Sequence, residues 1–221
     1  MLVFILNAGS SSLKYQLMNP VIKKVFAQGI CERIGIDGVL KHEFGEGKEF
    51  KKEISMPTHK EAIEAVLSTL TVGEGKVIDS INDIEAIGHR AVHGGEEFSG
   101  SVLVTEKVIE TMKKLIPLAP LHNPANILGM EICQELMPGK PNVAVFDTAF
   151  HQTMPDYAYM YALPYDQYAK HGIRKYGFHG TSHFFVSNEA RQMLDKKHNT
   201  RIIVCHLGNG SSVSAVLNGK C

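Results

Sequence analysis

Two short turns rich in Gly, Ser and Asn, each directly after an apolar run, hold the residue types best suited to grip a phosphate. The first is NAGSSSLK, Asn7 to Lys14. It has little side-chain bulk and many hydroxyls, so backbone N–H groups can approach phosphate oxygens while Lys14 adds positive charge. Alone, a plain hairpin turn is the favoured reading, because Gly/Ser turns are common and this one matches neither the Walker pattern nor the dinucleotide fingerprint. The second is HLGNGSS, in which His206 and Asn209 offer an imidazole and an amide, and Gly208 and Gly210 are expected to supply unusual backbone angles. Setting FILNAGSSSLKYQL beside IVCHLGNGSSVSAVL shows a weak internal echo: strand, small polar turn, strand. That echo favours phosphate contact at both turns, and two such hairpins facing each other would make a nucleotide clamp.

Three further segments carry candidate chemistry. In HRAVHGGE, Arg90 follows an apolar run and can grip a carboxylate or phosphate with two parallel hydrogen bonds; a surface ion pair explains it as well. Gly94 and Gly95 permit a sharp turn, and Val92 can form an apolar wall. Asp147 ends an apolar strand, where open α/β sheets place ligand-binding groups; helix capping is the competing reading. In YGFHGTSH, His179 lies between an aromatic residue and a glycine, which walls one side of the imidazole and opens the other. His183 reads equally as structural.

These residues must be positioned by elements that the pattern allows to be sketched. Leu2–Leu6 and Leu13–Leu17 form a hairpin, and 21–32, 39–44 and 50–54 continue an antiparallel meander. Helices follow: one capped by Thr58 with Glu61 in a capping box and Ile63, Val66, Leu67 and Leu70 buried, and one from Thr105 that Pro117 stops. A third is capped by Asn123 ahead of Pro124 and ends before Pro138. Strands are expected at Ile84–Gly88, Asn142–Phe146, Arg201–His206 and Ser212–Leu217, and a helix capped by Thr181 or Ser182 runs towards Lys197. Residues 150–178 are aromatic and turn-rich without clean periodicity.

The 221 residues carry 23 basic and 23 acidic side chains, so no global field draws the chain to nucleic acid or an anionic membrane, and any anion site must be local. Cys31, Cys133, Cys205 and Cys221 are scattered, which suits a reducing cytoplasm. There is no basic n-region at the N-terminus and no run approaching the ~18 apolar residues of a membrane span. The second hairpin has barely begun its meander when the chain stops, so the sequence is expected to be incomplete.

Taken together, NAGSSSLKYQL, HRAVHGG, LAPLHNPAN, VAVFDTAFHQTMP, YGFHGTSH and CHLGNGSSVSAV resemble segments of the acetate kinase (acetokinase) family in that family's order, and they span nearly the whole chain. The family belongs to the sugar kinase, Hsp70 and actin superfamily. The resemblance implies an α/β fold of duplicated RNase H-like (actin-like ATPase) domains with mixed sheets, divided here into residues 1–148 and an incomplete second domain, 149–221.

It also implies reversible transfer of the ATP γ-phosphoryl group to acetate, giving acetyl phosphate, a precursor of acetyl-CoA, and ADP. Mg²⁺ is the implied metal, with Mn²⁺ as an alternative, and the implied assembly is a cytoplasmic homodimer. Carried onto this sequence, Asn7 helps hold the metal; Lys14, Ser10, Ser12 and the turn His206, Leu207, Gly208, Asn209 and Gly210 contact nucleotide phosphates. Arg90 binds the acetate carboxylate, Asp147 and His179 are catalytic with it, and Val92, Leu121 and Phe178 line the methyl pocket. Acetate has no proton to lose at neutral pH, so Asp147 is expected to organise metal, water or Arg90 rather than act as a general base. The competing readings are a propionate or butyrate kinase, a fragment that needs its missing C-terminal half, and, last, a chaperone-type or actin-like ATPase.

Overall fold

The computed structural model describes residues 1–195 and 199–221. Among them the chain divides into two compact units, one of Met1–Ala91 with Val102–Ala144, the other of Val92–Ser101 with Val145–Cys221.

The first unit begins as the expected meander: β1 (Val3–Ala8), β2 (Ser12–Asn19), β3 (Lys24–Glu32), β4 (Val39–Phe44) and β5 (Lys48–Glu53). These pair antiparallel in order, and β6 (Ala86–Ala91) joins β1 in parallel on its other edge. With β8 (Asn142–Phe146) and the short β7 (Val102–Leu103) the sheet runs β5-β4-β3-β2-β1-β6-β8-β7. Strand β3 starts later than the expected 21–32 because Val21 and Ile22 turn out into solvent, held by their N–H groups on Asn19 Oδ1.

One face of this sheet is apolar. Phe4 and Leu6 of β1, Leu13 and Leu17 of β2 and Leu40 of β4 are buried, each alternating with an outward residue as the pleat requires. Helices α1 (His59–Thr71) and α3 (Asn123–Leu136) supply the partners: Ile63, Val66, Leu67 and Leu70 from α1, Ile132 and Cys133 from α3. The capping box of Thr58 and Glu61 starts α1 as the pattern dictates. Helix α2 (Glu106–Lys114) starts from the expected Thr105 cap and buries Ile109 and Met112. At α3 the expected cap is displaced: His122 is the N-cap, and Asn123 lies inside the first turn, fully buried. Its side chain is therefore a core polar group, not an exposed cap.

The opposite face is polar and organised in rows. Asn7, Lys14, Ile30, Lys41 and Lys51 stand opposite one another across five strands, and the next row is Ile5, Gln16, Gln28, Glu43 and Glu49. Gln16 donates to Gln28, and Gln28 to Glu43, at 3.1 and 2.8 Å. The two rows line a cavity of about 970 Å³. Beneath it, Tyr15 donates its hydroxyl to His42 Nδ1 while His42 Nε2 donates to the Gly75 carbonyl at 3.1 Å, so both nitrogens of a buried ring are satisfied. Tyr15→Phe would leave Nδ1 without a donor, which costs about 1–3 kcal/mol. A urea midpoint lowered accordingly, with unchanged slope, is the expected result; an unchanged midpoint would show that the bond contributes nothing.

The second unit contains the aromatic segment, a 3₁₀ turn (Ala149–Thr153), α4 (Asp156–Tyr159) and α5 (Tyr165–His171), then α6 (Gly180–Met193) packed on the hairpin β9 (Arg201–Leu207) and β10 (Ser211–Leu217). The aromatic segment is ordered around one cation. Arg174, 7% exposed, lies 3.5 Å over the Tyr159 ring and pairs with Glu96, which also accepts from Tyr168. Helix α6 begins at Gly180 with His179 as N-cap in the left-handed region (φ 56°), without a side-chain cap, so neither Thr181 nor Ser182 caps it. The approach of this helix to Lys197 lies outside the described residues. Val213, Ile203 and Leu217 of the two-stranded β9–β10 sheet are exposed.

Candidate active site

Asn7, Ser10, Ser12, Lys14 and Arg90 of the first unit lie at the β1–β2 turn and the adjoining end of β6. Asn7 and Lys14 are direct cross-strand partners. Strand β6 runs parallel to β1 with Leu6 opposite His89, so the next residues, Asn7 and Arg90, emerge together at the carboxyl ends of the two strands. Both are half-buried, on the face opposite Leu6 and His89. His89 itself is held as a buried neutral ring: Asn142 donates its amide to the Lys140 carbonyl, leaving Oδ1 to accept from His89 Nε2 at 2.7 Å. Burial pushes its pKa down.

The turn is anchored through its carbonyls. Those of Ala8, Gly9, Ser11 and Ser12 accept from Asn126 Nδ2, His59 Nε2, Ile34 N and Gly9 N at 2.9, 2.7, 3.1 and 2.8 Å. Carbonyl oxygens repel an approaching anion; here four of them are engaged within the protein, while the Ser10 hydroxyl and Lys14 stay exposed. Lys14 also ends the lysine row. Glu32, which shares that field, sits below the usual carboxylate range, chiefly through its hydrogen bond to Lys41 with Lys51 and Lys14 adding charge. A chain of zero net charge thus carries a local basic strip beside the turn. His59 and Asn126 went unnoticed in the sequence because they lie 50 and 118 residues from the groups they hold.

In the second unit, Asp147 is buried at the end of β8 and does not cap the following turn; Thr148 does not cap it by side chain either, and instead accepts from Gly94 N at 3.0 Å. The Asp147 carbonyl accepts the N–H of Gly180 at 2.8 Å. A Cβ on Gly180 would stand 2.3 Å from that oxygen, so only glycine allows α6 to start here, and His179 is delivered beside the strand end that carries Asp147. Phe178, 41% exposed, is fixed through its carbonyl, which accepts from His151 Nε2 at 3.0 Å. Val92 is buried, and its neighbour His93 packs edge-on against Tyr176 and Phe178. His93 Nδ1 accepts from Gly95 N, and Gly95 makes the expected sharp turn at φ 58°.

The second glycine-rich turn meets this imidazole. His179 stacks on His206 at 4.0 Å, and the Cε1–Nε2 edge of His179 lies against Gly210, where a Cβ would stand 3.4 and 3.5 Å away. His206 Nδ1 bonds Ser182 Oγ at 3.0 Å. Neither Gly208 nor Gly210 has a positive φ, contrary to the expected unusual angles; the value of Gly210 is its missing side chain. The turn also differs from the first by one residue. Three residues separate the paired Leu207 and Ser211, whereas four separate Ala8 and Leu13. Leu207 and Leu121 are both largely exposed, at 75% and 77%.

Beneath His179 lies a polar network that the sequence did not disclose. His179 Nδ1 and His183 Nε2 both meet Ser212 Oγ, at 2.8 and 2.7 Å, and His183 Nδ1 meets Ser214 Oγ at 2.8 Å. The one available signal was the i, i+4 spacing of His179 and His183, which puts both on one side of a helix start. Burial first, then the neighbouring His151, His179 and His206, pushes His183 down to about 4; burial alone does the same to His93. Both rings are neutral at pH 7. The unfolded chain, with histidines near 6.5, therefore binds protons that the folded chain refuses. Stability should be fully present above pH 6.5 and decline as pH falls towards 4, seen as a falling urea midpoint; a midpoint flat over that interval would contradict the assigned environments.

Among the described residues no cluster of three His, Cys, Asp or Glu side chains could hold a metal. Asn7 nonetheless offers a side-chain oxygen of the kind a hard divalent cation accepts when phosphates and water complete its shell.

A family model described as the acetokinase family matches residues 2–221. The chain is 55% identical over 222 residues to an acetate kinase of Fusobacterium nucleatum, covering 100% of this chain and 56% of that protein. Among solved structures, it is similar to the acetate kinase of Porphyromonas gingivalis, with TM-score 0.95 and 49% identity over 99% of this chain and 55% of that one. It is also similar to a propionate kinase from Francisella tularensis, with TM-score 0.90 and 44% identity over the same shares. The chain thus spans about half the length of the relatives it matches. A family match over nearly all residues, carried by a fold that superposes on these kinases, shows that this chain belongs to the acetokinase family.

Proposed function

We propose that this chain carries the acetate side and both phosphate-contacting turns of an acetate kinase. The observation that supports it most is the seating of the His179 edge against the His206–Gly210 turn, which brings an imidazole to a turn expected to meet phosphate. In this reading a carboxylate oxygen of acetate attacks the γ-phosphorus of ATP in line, the bond to the β–γ bridging oxygen breaks, and ADP leaves. Such a transfer needs alignment and charge neutralisation more than covalent chemistry.

Arg90 aligns the acetate carboxylate by two parallel hydrogen bonds, and Val92, Leu121 and Phe178 bound the methyl group. Lys14, Ser10, Ser12 and residues 206–210 bind nucleotide phosphates, and His179 donates to the oxygens of the moving phosphoryl group. A bound Mg²⁺, or Mn²⁺, neutralises phosphate charge; Asn7 would help hold it. Asp147, buried at its strand end, orients metal, water or Arg90. We extend the reading to a cytoplasmic homodimer for the whole protein, and to two domains, 1–148 and the start of a second at 149–221.

The likeness to a propionate kinase supplies a second reading, since the shared motifs report chemistry while pocket depth selects chain length. One methylene is worth ~1–3 kcal/mol, or about 10- to 200-fold. Hydroxylamine trapping of acyl phosphate with acetate, propionate and butyrate decides between them. We expect kcat/KM highest for acetate and lower by at least about tenfold for propionate; a preference for propionate would overturn the acetate assignment.

A further inference from the structure

The hydrogen-bond chain beneath His179 has a direction. Ser214 is buried in β10, 6% exposed, and its hydroxyl hydrogen needs an acceptor. Among the described residues its partner is His183 Nδ1 at 2.8 Å. If that nitrogen accepts, the neutral ring carries its hydrogen on Nε2 and must donate to Ser212 Oγ at 2.7 Å. Ser212 Oγ has then accepted, and its own hydrogen is left to donate. Two acceptors are in reach, His179 Nδ1 at 2.8 Å and the Phe178 carbonyl at 3.4 Å, and the shorter bond wins. His179 Nδ1 is therefore a lone pair, and the ring's hydrogen sits on Nε2, at the edge facing Gly210.

We propose that Ser214, His183 and Ser212 form a one-way hydrogen-bond relay that fixes His179 as its Nε2–H tautomer, making Ser212 and His183 positioning residues for that imidazole. Run in reverse, the relay would leave Ser214 without a use for its hydrogen and turn a lone pair of His179 towards the glycine-rich turn. A lone pair repels a phosphoryl oxygen, whereas an N–H attracts it. The functional value of the relay rests on the proposed role of His179, but its existence does not. The low pKa of His183 is consistent, since a ring that stays neutral keeps one donor and one acceptor.

The test is long-range ¹H–¹⁵N correlation spectroscopy of the histidine rings in the full 221-residue chain near pH 7.5. We expect unprotonated Nδ1 and protonated Nε2 on both His179 and His183. Ser214→Ala, three hydrogen bonds removed from His179, should convert both rings to tautomer mixtures, and Ser212→Ala should do so for His179. Ser212→Thr keeps the hydroxyl and should restore the wild-type pattern, which separates loss of the relay from loss of folding. A protonated Nδ1 on His179 in the wild type, or a His179 signal unmoved by both alanine variants, would overturn the relay. In the active enzyme Ser214→Ala should lower kcat about tenfold, as loss of a functional imidazole's partner commonly does, with KM for ATP unchanged. If the tautomers shift as expected and kcat does not, the relay stands and the role of His179 in transfer falls.

Discussion

Replacing His179 by alanine should lower kcat by about 10²- to 10³-fold, the usual loss when one fixed donor to a developing oxyanion is removed. KM for acetate should stay within a small factor. The imidazole edge faces the Gly210 turn, where a phosphoryl group is proposed to move, while the acetate carboxylate is proposed to be held by Arg90. Steady-state kinetics over both substrates gives the two constants separately. A raised KM for acetate with unchanged kcat would assign His179 to ground-state binding and remove it from the transfer step.

The second large effect is structural. Gly180→Ala would put a methyl group 2.3 Å from the Asp147 carbonyl and 3.1 Å from Phe150 Cβ. The oxygen cannot yield without breaking the 2.8 Å bond from Gly180 N that ties the start of α6 to the end of β8. Overpacking of this kind costs about 1–3 kcal/mol, and the lost bond adds about 1 kcal/mol. Activity should fall with stability, because Asp147 and His179 part company together. Gly208→Ala is the control: its new carbon would meet nothing nearer than the Gly210 carbonyl at 3.5 Å. Its urea midpoint should stay within about 0.5 kcal/mol of wild type. Equal destabilisation of the two variants would contradict the account of Gly180.

What could be read from the chain depended on the distance over which each feature is decided. The Thr58–Glu61 capping box and the strand Asn142–Phe146 were legible because their determinants lie within a few neighbouring residues. The caps of α3 and α6 were misplaced for the opposite reason. Asn123 has the right type beside Pro124, yet burial draws it into the helix, and α6 starts where the Asp147 carbonyl dictates rather than at the nearest hydroxyl. At the site, every candidate came from a turn or strand end, where composition is informative. Their supports did not: Ser212 reaches His179 across 33 residues, and Arg174 reaches Glu96 across 78. Likewise the internal echo between the two hairpins was real in strand pairing but silent about the one-residue difference in their turns.

The central claim is that an acetate oxygen takes the γ-phosphoryl group directly. Phosphorus NMR with [carboxyl-¹⁸O₂]acetate and ATP·Mg²⁺ tests it, using this chain supplied with the remaining segment of a full-length relative. Direct attack predicts acetyl phosphate whose phosphorus resonance carries the isotope shift of one bonded ¹⁸O, with unshifted ADP. Acetyl phosphate without that shift, or no acyl phosphate at all from the completed pair, would contradict the account.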